Sequence, residues 1–223
     1  KELFKKAHLS ANLFRRAIRN VSDDDVLLNT GVSFPIAVSS ANIYGVESQF
    51  VLPQMGPLTA WVSYSYQVAS AHLPVVGGLF LGDDAANELN SNARIWVTQD
   101  QRHTVHGQVR YQPWSRFWIS AGTSYGTGLP VELSGEDIET LVAQFGQAVV
   151  DRVNLEAGRV KPSLSIDLST AVDLYRKESR AVRLQADIRN LNNRLNVINL
   201  ASLFSGTAIT APRSVSVRLR FDY

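Results

Sequence analysis

The sequence predicts an all-β fold: an antiparallel transmembrane β-barrel segment of about eight strands, with long extracellular loops, short periplasmic turns and one loop helix near 134–149. Three observations predict it. In the final stretch, Val215, Val217, Leu219, Phe221 and Tyr223 alternate with Ser216, Arg218, Arg220 and Asp222. Successive strand side chains point to opposite faces, and about 9–11 tilted residues cross a bilayer, so this stretch suits a wall with lipid on one side and water on the other. Long and short connections alternate along the chain, at roughly 20, 5, 30, 5, 35, 6 and 20 residues, as in barrels with one looped and one trimmed rim. Aromatics gather near strand ends (Tyr44, Tyr64, Tyr66, Tyr111, Trp114, Trp118, Tyr125, Tyr175 and Tyr223), as an interfacial girdle requires.

Composition is compatible with this reading and excludes others. The chain has 223 residues, room for one large all-β domain, which is read as a single segment spanning 1–223. Charged residues make up 19% and hydrophobic ones 45%, and no run approaches the roughly 18 apolar residues of a membrane helix. Mean hydropathy is −0.06, which a membrane barrel tolerates because half its side chains face water. A net charge of +2 without blocks of like charge gives no reason to expect nucleic-acid binding. With no cysteine there are no disulfides and no thiolate metal sites. Lys1-Glu2-Leu3-Phe4 lacks the apolar region and cleavage site of a signal peptide, so the chain is expected to be a mature form or part of a longer one.

Taken in order, Lys6 to Arg19 alternates imperfectly, with Ala7, Leu9, Ala11 and Leu13 against His8, Ser10 and Asn12. Leu3, Ala7, Phe14 and Ile18 also suit a helix, but the pattern that follows favours a strand. Asp23-Asp-Asp25, Gly31 and Pro35 mark a loop of about twenty residues. A second strand is expected over Ile43 to Leu52 and, after the turn Pro53-Gln-Met-Gly-Pro57, a third with Ala60, Val62, Tyr64, Tyr66 and Val68 on one face. The fourth carries Val105, Gly107, Val109 and Tyr111 on one face, and Gln112-Pro-Trp-Ser115 joins it to a fifth from Arg116 to Tyr125. Within the next connection, Ser134 to Val149 has helical character. Ser134 and Asp137 fit a capping box, and Ile138, Leu141, Val142 and Phe145 form a stripe read as a packing surface. The sixth strand runs from Leu164 to Leu174; after Arg176-Lys-Glu-Ser-Arg180 the seventh runs from Val182 to Ile188, and Val215 to Tyr223 is the eighth.

The polar face of these strands carries Glu47, Arg110, Asp167, Asp173, Arg183, Asp187, Arg189, Arg218 and Arg220, the expected lumen-facing residues. Arg183, Arg189, Arg218 and Arg220 form a basic wall, solvated on the plain reading and favouring anionic solutes on the sharper one. His103 and His106 fall on opposite faces of a strand with no third ligand nearby, so no metal site is assigned. Asp23-Asp-Asp25 and Asp83-Asp84 suit a solvated acidic loop better than a calcium site. The sequence has no Ser–His–Asp set, nucleophile elbow or phosphate-cradling loop, so no catalytic residue, enzyme activity or cofactor is expected.

An ordered set of motifs resembles the C-terminal part of the barrel of TonB-dependent outer-membrane receptors, importers of siderophores, cobalamin, sugars and similar large nutrients. The residues are Asn42-Ile-Tyr-Gly-Val-Glu47, Asp100-Gln-Arg-His103, Gly126-Thr-Gly-Leu-Pro130, Ile188-Arg-Asn-Leu-Asn-Asn193, Gly206-Thr-Ala208 and Ala211-Pro-Arg-Ser-Val215 before the last strand. The resemblance implies a bacterial outer-membrane transporter that takes up a large solute. It implies the lipid bilayer, the outer-membrane assembly machinery, a plug domain and TonB as partners. It also makes Val217, Leu219, Phe221 and Tyr223 an assembly signal. Such barrels have about 22 strands. About eight are read here, without plug or energy-coupling box, so the chain is expected to be the final third of a wall. Orphaned backbone groups cost several kcal/mol each in lipid, so either further strands complete the sheet or eight close on themselves as a small structural or adhesive barrel. A soluble lipocalin-type binding barrel would instead place Leu164, Ile166, Leu168, Val182, Leu184 and Ile188 around a dry cavity.

Overall fold

The computed structural model of the chain describes residues 7–26, 33–77, 94–97, 99–131, 138–202 and 206–223, with backbone alone at 22–26, 33–37, 74–77, 201–202 and 206. Its elements are β1 (His8–Val26), β2 (Ser33–Met55), β3 (Leu58–Gly77), β4 (Arg94–Trp96), β5 (His103–Trp114), β6 (Phe117–Gly126), α1 (Ile138–Phe145), α2 (Gln147–Val150), β7 (Val153–Asn154), β8 (Arg159–Val160), β9 (Ser163–Lys177), β10 (Arg180–Arg189), β11 (Val197–Ser202), β12 (Gly206–Ile209) and β13 (Ser214–Asp222). One antiparallel sheet runs β1-β2-β3-β5-β6-β9-β10-β13, with β4 added beside β3. Every expected long strand is present, each paired with its neighbour along the chain. The sheet is open, with β1 and β13 at its edges. Among the described residues β1 and β13 do not pair with each other, so the small self-contained barrel is not favoured.

The strands on the β1–β3 side are longer than the apolar alternation suggests. β1 continues through Asp23, Asp24 and Asp25, which pair with Ile36, Pro35 and Phe34, so the acidic run lies in a strand rather than a loop. The physical reason is that backbone ladders do not require apolar side chains. Above the height where one face must be oily, the strands continue with Arg15, Asn42 and Ser70 on that face, and a pattern search loses them. Asp83, Asp84, Ser134, Asp137 and Gly31 lie outside the described residues.

At the short-turn rim the hairpins are tight. Met55 pairs with Leu58 across Gly56 at φ +58°, a left-handed position that glycine takes at least cost, and Trp114 pairs with Phe117. At the other rim the described parts of the connections carry short elements of their own. Leu141 of α1 is buried, while Ile138 is exposed and leaves the expected stripe; Gly146 at φ +84° ends α1 and starts α2. A small apolar core joins Val131, Val153, Val160, Val197 and Leu200, with Phe145 and Val149 against it. The short pairings β7–β8 and β11–β12 carry most of this core, inside connections whose sequence has no strand alternation.

β9 outlasts its partner here. β10 turns away after Arg189, with Asn190 and Asn193 in left-handed conformations. Asparagine side chains replace the missing strand. Leu164 N–H donates to Asn196 Oδ1 (3.1 Å) and Ile166 N–H to Asn192 Oδ1 (3.3 Å), while both Nδ2 groups donate to Leu164 O (3.0 Å). Asn192 of the Asn-Leu-Asn-Asn motif and Asn196 beyond it thus satisfy a strand end whose backbone would otherwise be orphaned.

Candidate functional site

Register places the expected lumen residues. Directly opposed residues in an antiparallel sheet share a face. Glu47 opposes Ser65, which opposes Thr104; Arg110 opposes Thr59 and Ser120; Ser120 opposes Ser169, which opposes Asp187. Asp173 opposes Arg183, Arg183 opposes Arg220, Gln185 opposes Arg218 and Arg189 opposes Ser214. Asp167 opposes Gly122 on the same side. All nine candidates therefore lie on one face of one sheet. The opposite face carries Leu9, Phe50, Val62, Val109, Tyr111, Leu184, Val215, Val217, Leu219 and Phe221, all exposed. The leucines and valines do not enclose a dry interior, which removes the lipocalin-type alternative.

The polar face is knitted internally. Arg183 Nε donates to Asp173 Oδ1 (2.6 Å) and its Nη2 to Oδ2 (3.3 Å), a bidentate pair joining β9 to β10, and Arg176 approaches the same carboxylate at 3.5 Å. Gln185 donates to both oxygens of Asp187 (3.0 Å), Arg220 pairs with Asp222 (2.8 Å), and Asp167 accepts from the Asn190 N–H (2.9 Å). Glu47 lines an open hollow of about 330 Å³ with Ser10, Asn12, Gln49, Ser63 and His106. These hydroxyls and amides, uncharged and so without a signal of their own, share the parity of the charged candidates. His103 falls on the other face from His106 and bonds the Tyr64 hydroxyl (2.9 Å). Among the described residues no three metal-ligating side chains cluster.

One aromatic departs from the girdle. Trp118 opposes Ala171 on the polar face, with the Arg110 guanidinium 4.4 Å from its ring centroid. A cation held over a ring explains why an aromatic lies on this side. Trp61 also faces this way and donates to Gln108 Oε1 (3.1 Å).

At the looped rim, Asp100 is fully buried. Its Oδ1 accepts from the Ala69 N–H of β3 (2.7 Å), and its Oδ2 accepts from Arg102 Nε (2.8 Å) and Arg159 Nη2 (2.5 Å). Arg159 also donates to the carbonyls of Asp100 (2.8 Å) and Gly128 (3.1 Å). One carboxylate thus ties β3, the approach to β5 and the helix-bearing connection together. Nearby, Arg152 and Arg194 both donate to Pro162 O, at 2.8 and 3.1 Å. Burial, and then the neighbouring Arg194 charge, hold the Arg152 guanidinium below its ordinary pKa.

With this geometry the chain can be compared with known proteins. No protein-family model matches it, and no curated protein matches it in sequence. It does resemble solved structures. The ferric-catecholate import receptor Fiu from Escherichia coli K12 superimposes with a TM-score of 0.58 at 16% identity, over 97% of this chain and 25% of that one. The siderophore receptor PiuA from Acinetobacter baumannii gives 0.58 at 14% identity, over 98% of this chain and 26% of that one. The fold is that of part of a β-barrel. At this identity the likeness is one of fold, and the chain spans about a quarter of the length of either receptor.

Proposed function

We propose that residues 1–223 are one segment of the barrel wall of a bacterial outer-membrane transporter, serving TonB-dependent uptake of a large solute such as a siderophore, cobalamin or carbohydrate. The observation that carries this reading is the sheet itself: eight sequential antiparallel strands with charges on one face and large apolar side chains on the other, alike in fold to two siderophore receptors along nearly the whole chain. A wall of this kind turns its apolar face to hydrocarbon and its polar face to a watery lumen. The hollow beside Glu47 lies on that polar face. The open edges at β1 and β13 must find strand partners in lipid, because unpaired backbone groups are too costly there.

On this reading Glu47, Arg110, Asp167, Asp173, Arg183, Asp187, Arg189, Arg218 and Arg220 line the lumen and meet solute or a plug domain. Val217, Leu219, Phe221 and Tyr223 present the assembly signal, and the role is transport rather than catalysis. The test is uptake by cells expressing the intact protein, supplied with a radioiron-loaded catecholate siderophore, radiolabelled cyanocobalamin or a labelled maltodextrin. The expected result is accumulation of one of them, abolished by loss of TonB. Equal accumulation of all three with and without TonB would refute the proposal.

A further inference from the structure

On the apolar face, the oily rows end abruptly near the looped rim. Leu13 opposes Val46, which opposes Tyr66; one row higher Arg15 opposes Tyr44, which opposes Val68. The next rows hold Asn42, Ser70 and Trp96, then Arg19, Ser40, His72 and Arg94. Arg15, Asn42, Tyr44, Ser70, His72 and Arg94 line an open cavity of about 510 Å³. Arg94 lies over the Trp96 ring (5.0 Å), an exposed aromatic beside the last oily rows, of the type that membrane interfaces favour. Among the described residues neither Arg15 nor Arg94 has a carboxylate within ion-pair distance.

We propose that this cavity binds the phosphate of a lipid headgroup in the leaflet at the looped rim. Two guanidiniums, the amide of Asn42 and the Tyr44 hydroxyl offer donors to phosphate oxygens, and Arg is suited to phosphate because its planar fork matches that geometry. The position selects a lipid over a dissolved anion. The cavity opens sideways on the face that carries Leu13, Val46 and Phe50, so acyl chains lie along those side chains while the headgroup sits one row above. This inference rests on the membrane reading above, since it takes the apolar face as the outward one.

The test uses the intact protein in detergent micelles, with bis-phosphorylated lipid A, its dephosphorylated form and phosphatidylcholine as probes. Wild type is expected to prefer the phosphorylated lipid. Arg15→Ala/Arg94→Ala should weaken its binding about 10- to 30-fold, from the usual contribution of a basic side chain at an anionic membrane surface. Arg15→Lys/Arg94→Lys should fall between wild type and the alanine pair, because the charge remains while the planar fork is lost. Equal binding of all three lipids, unchanged binding by the alanine pair, or displacement of lipid by excess inorganic phosphate would each overturn the proposal. Heat-modifiable gel mobility is read in parallel. If it persists while lipid selectivity is absent, this inference fails and the membrane reading stands; a protein soluble without detergent defeats both.

Discussion

Replacing Asp100 with alanine should loosen the looped rim without unfolding the barrel wall. The side chain is fully buried, accepts the Ala69 N–H and pairs with Arg102 and Arg159, whose side chains are 26% and 22% exposed. Removing one member of a buried pair costs about 3–5 kcal/mol, chiefly because the remaining charge is left without a partner. Partial exposure of both guanidiniums places this case near the lower end, about 3 kcal/mol, which raises local opening about 150-fold. The cost is local, because the β5–β6–β9–β10 ladders do not involve this carboxylate. Hydrogen–deuterium exchange of the intact protein in detergent reads it. Peptides covering residues 99–102 and 158–161 should exchange about two orders of magnitude faster in Asp100→Ala, while peptides from β9 and β10 stay unchanged. Asp100→Asn, which keeps an acceptor for the Ala69 amide, should fall between the two. Unchanged exchange at 158–161 would refute the idea that one carboxylate holds these segments together.

Three further outcomes follow from the same coordinates. Val109 and Ser124 lie on adjacent strands but on opposite faces, so Val109→Arg should lose about 2–4 kcal/mol of folding stability in lipid while Ser124→Arg loses little; urea titration of the protein refolded into vesicles separates them. A Cβ at Gly128 would collide with the Val160 carbonyl, so Gly128→Ala should separate the helix-bearing connection from the rim and make it cleavable by added protease, with heat-modifiable mobility retained. Phe221→Ala with Tyr223 deleted should lower the yield of heat-modifiable protein in outer membranes severalfold without changing synthesis, whereas Arg220→Ala should not; equal yields would remove the assembly role given to the terminal apolar residues.

A period of two was enough to assign fold class, strand order and the shared side of the nine charged candidates. This alternation is a covalent property: neighbouring strand residues point opposite ways whatever the rest of the chain does. All nine lumen candidates, from Glu47 on β2 to Arg220 on β13, lie on one face for that reason. What happens above the oily rows had to come from tertiary structure. β1–β3 continue past their apolar pattern because backbone pairing sustains them, and Trp118, on the polar face by its parity with Ser120, takes the Arg110 guanidinium over its ring. Asp100 meets Arg159 across a separation of 59 residues, and Asn192 and Asn196 complete the β9 edge. Such contacts join segments that carry no periodic signal, so they exist only once the strands have brought the chain back upon itself.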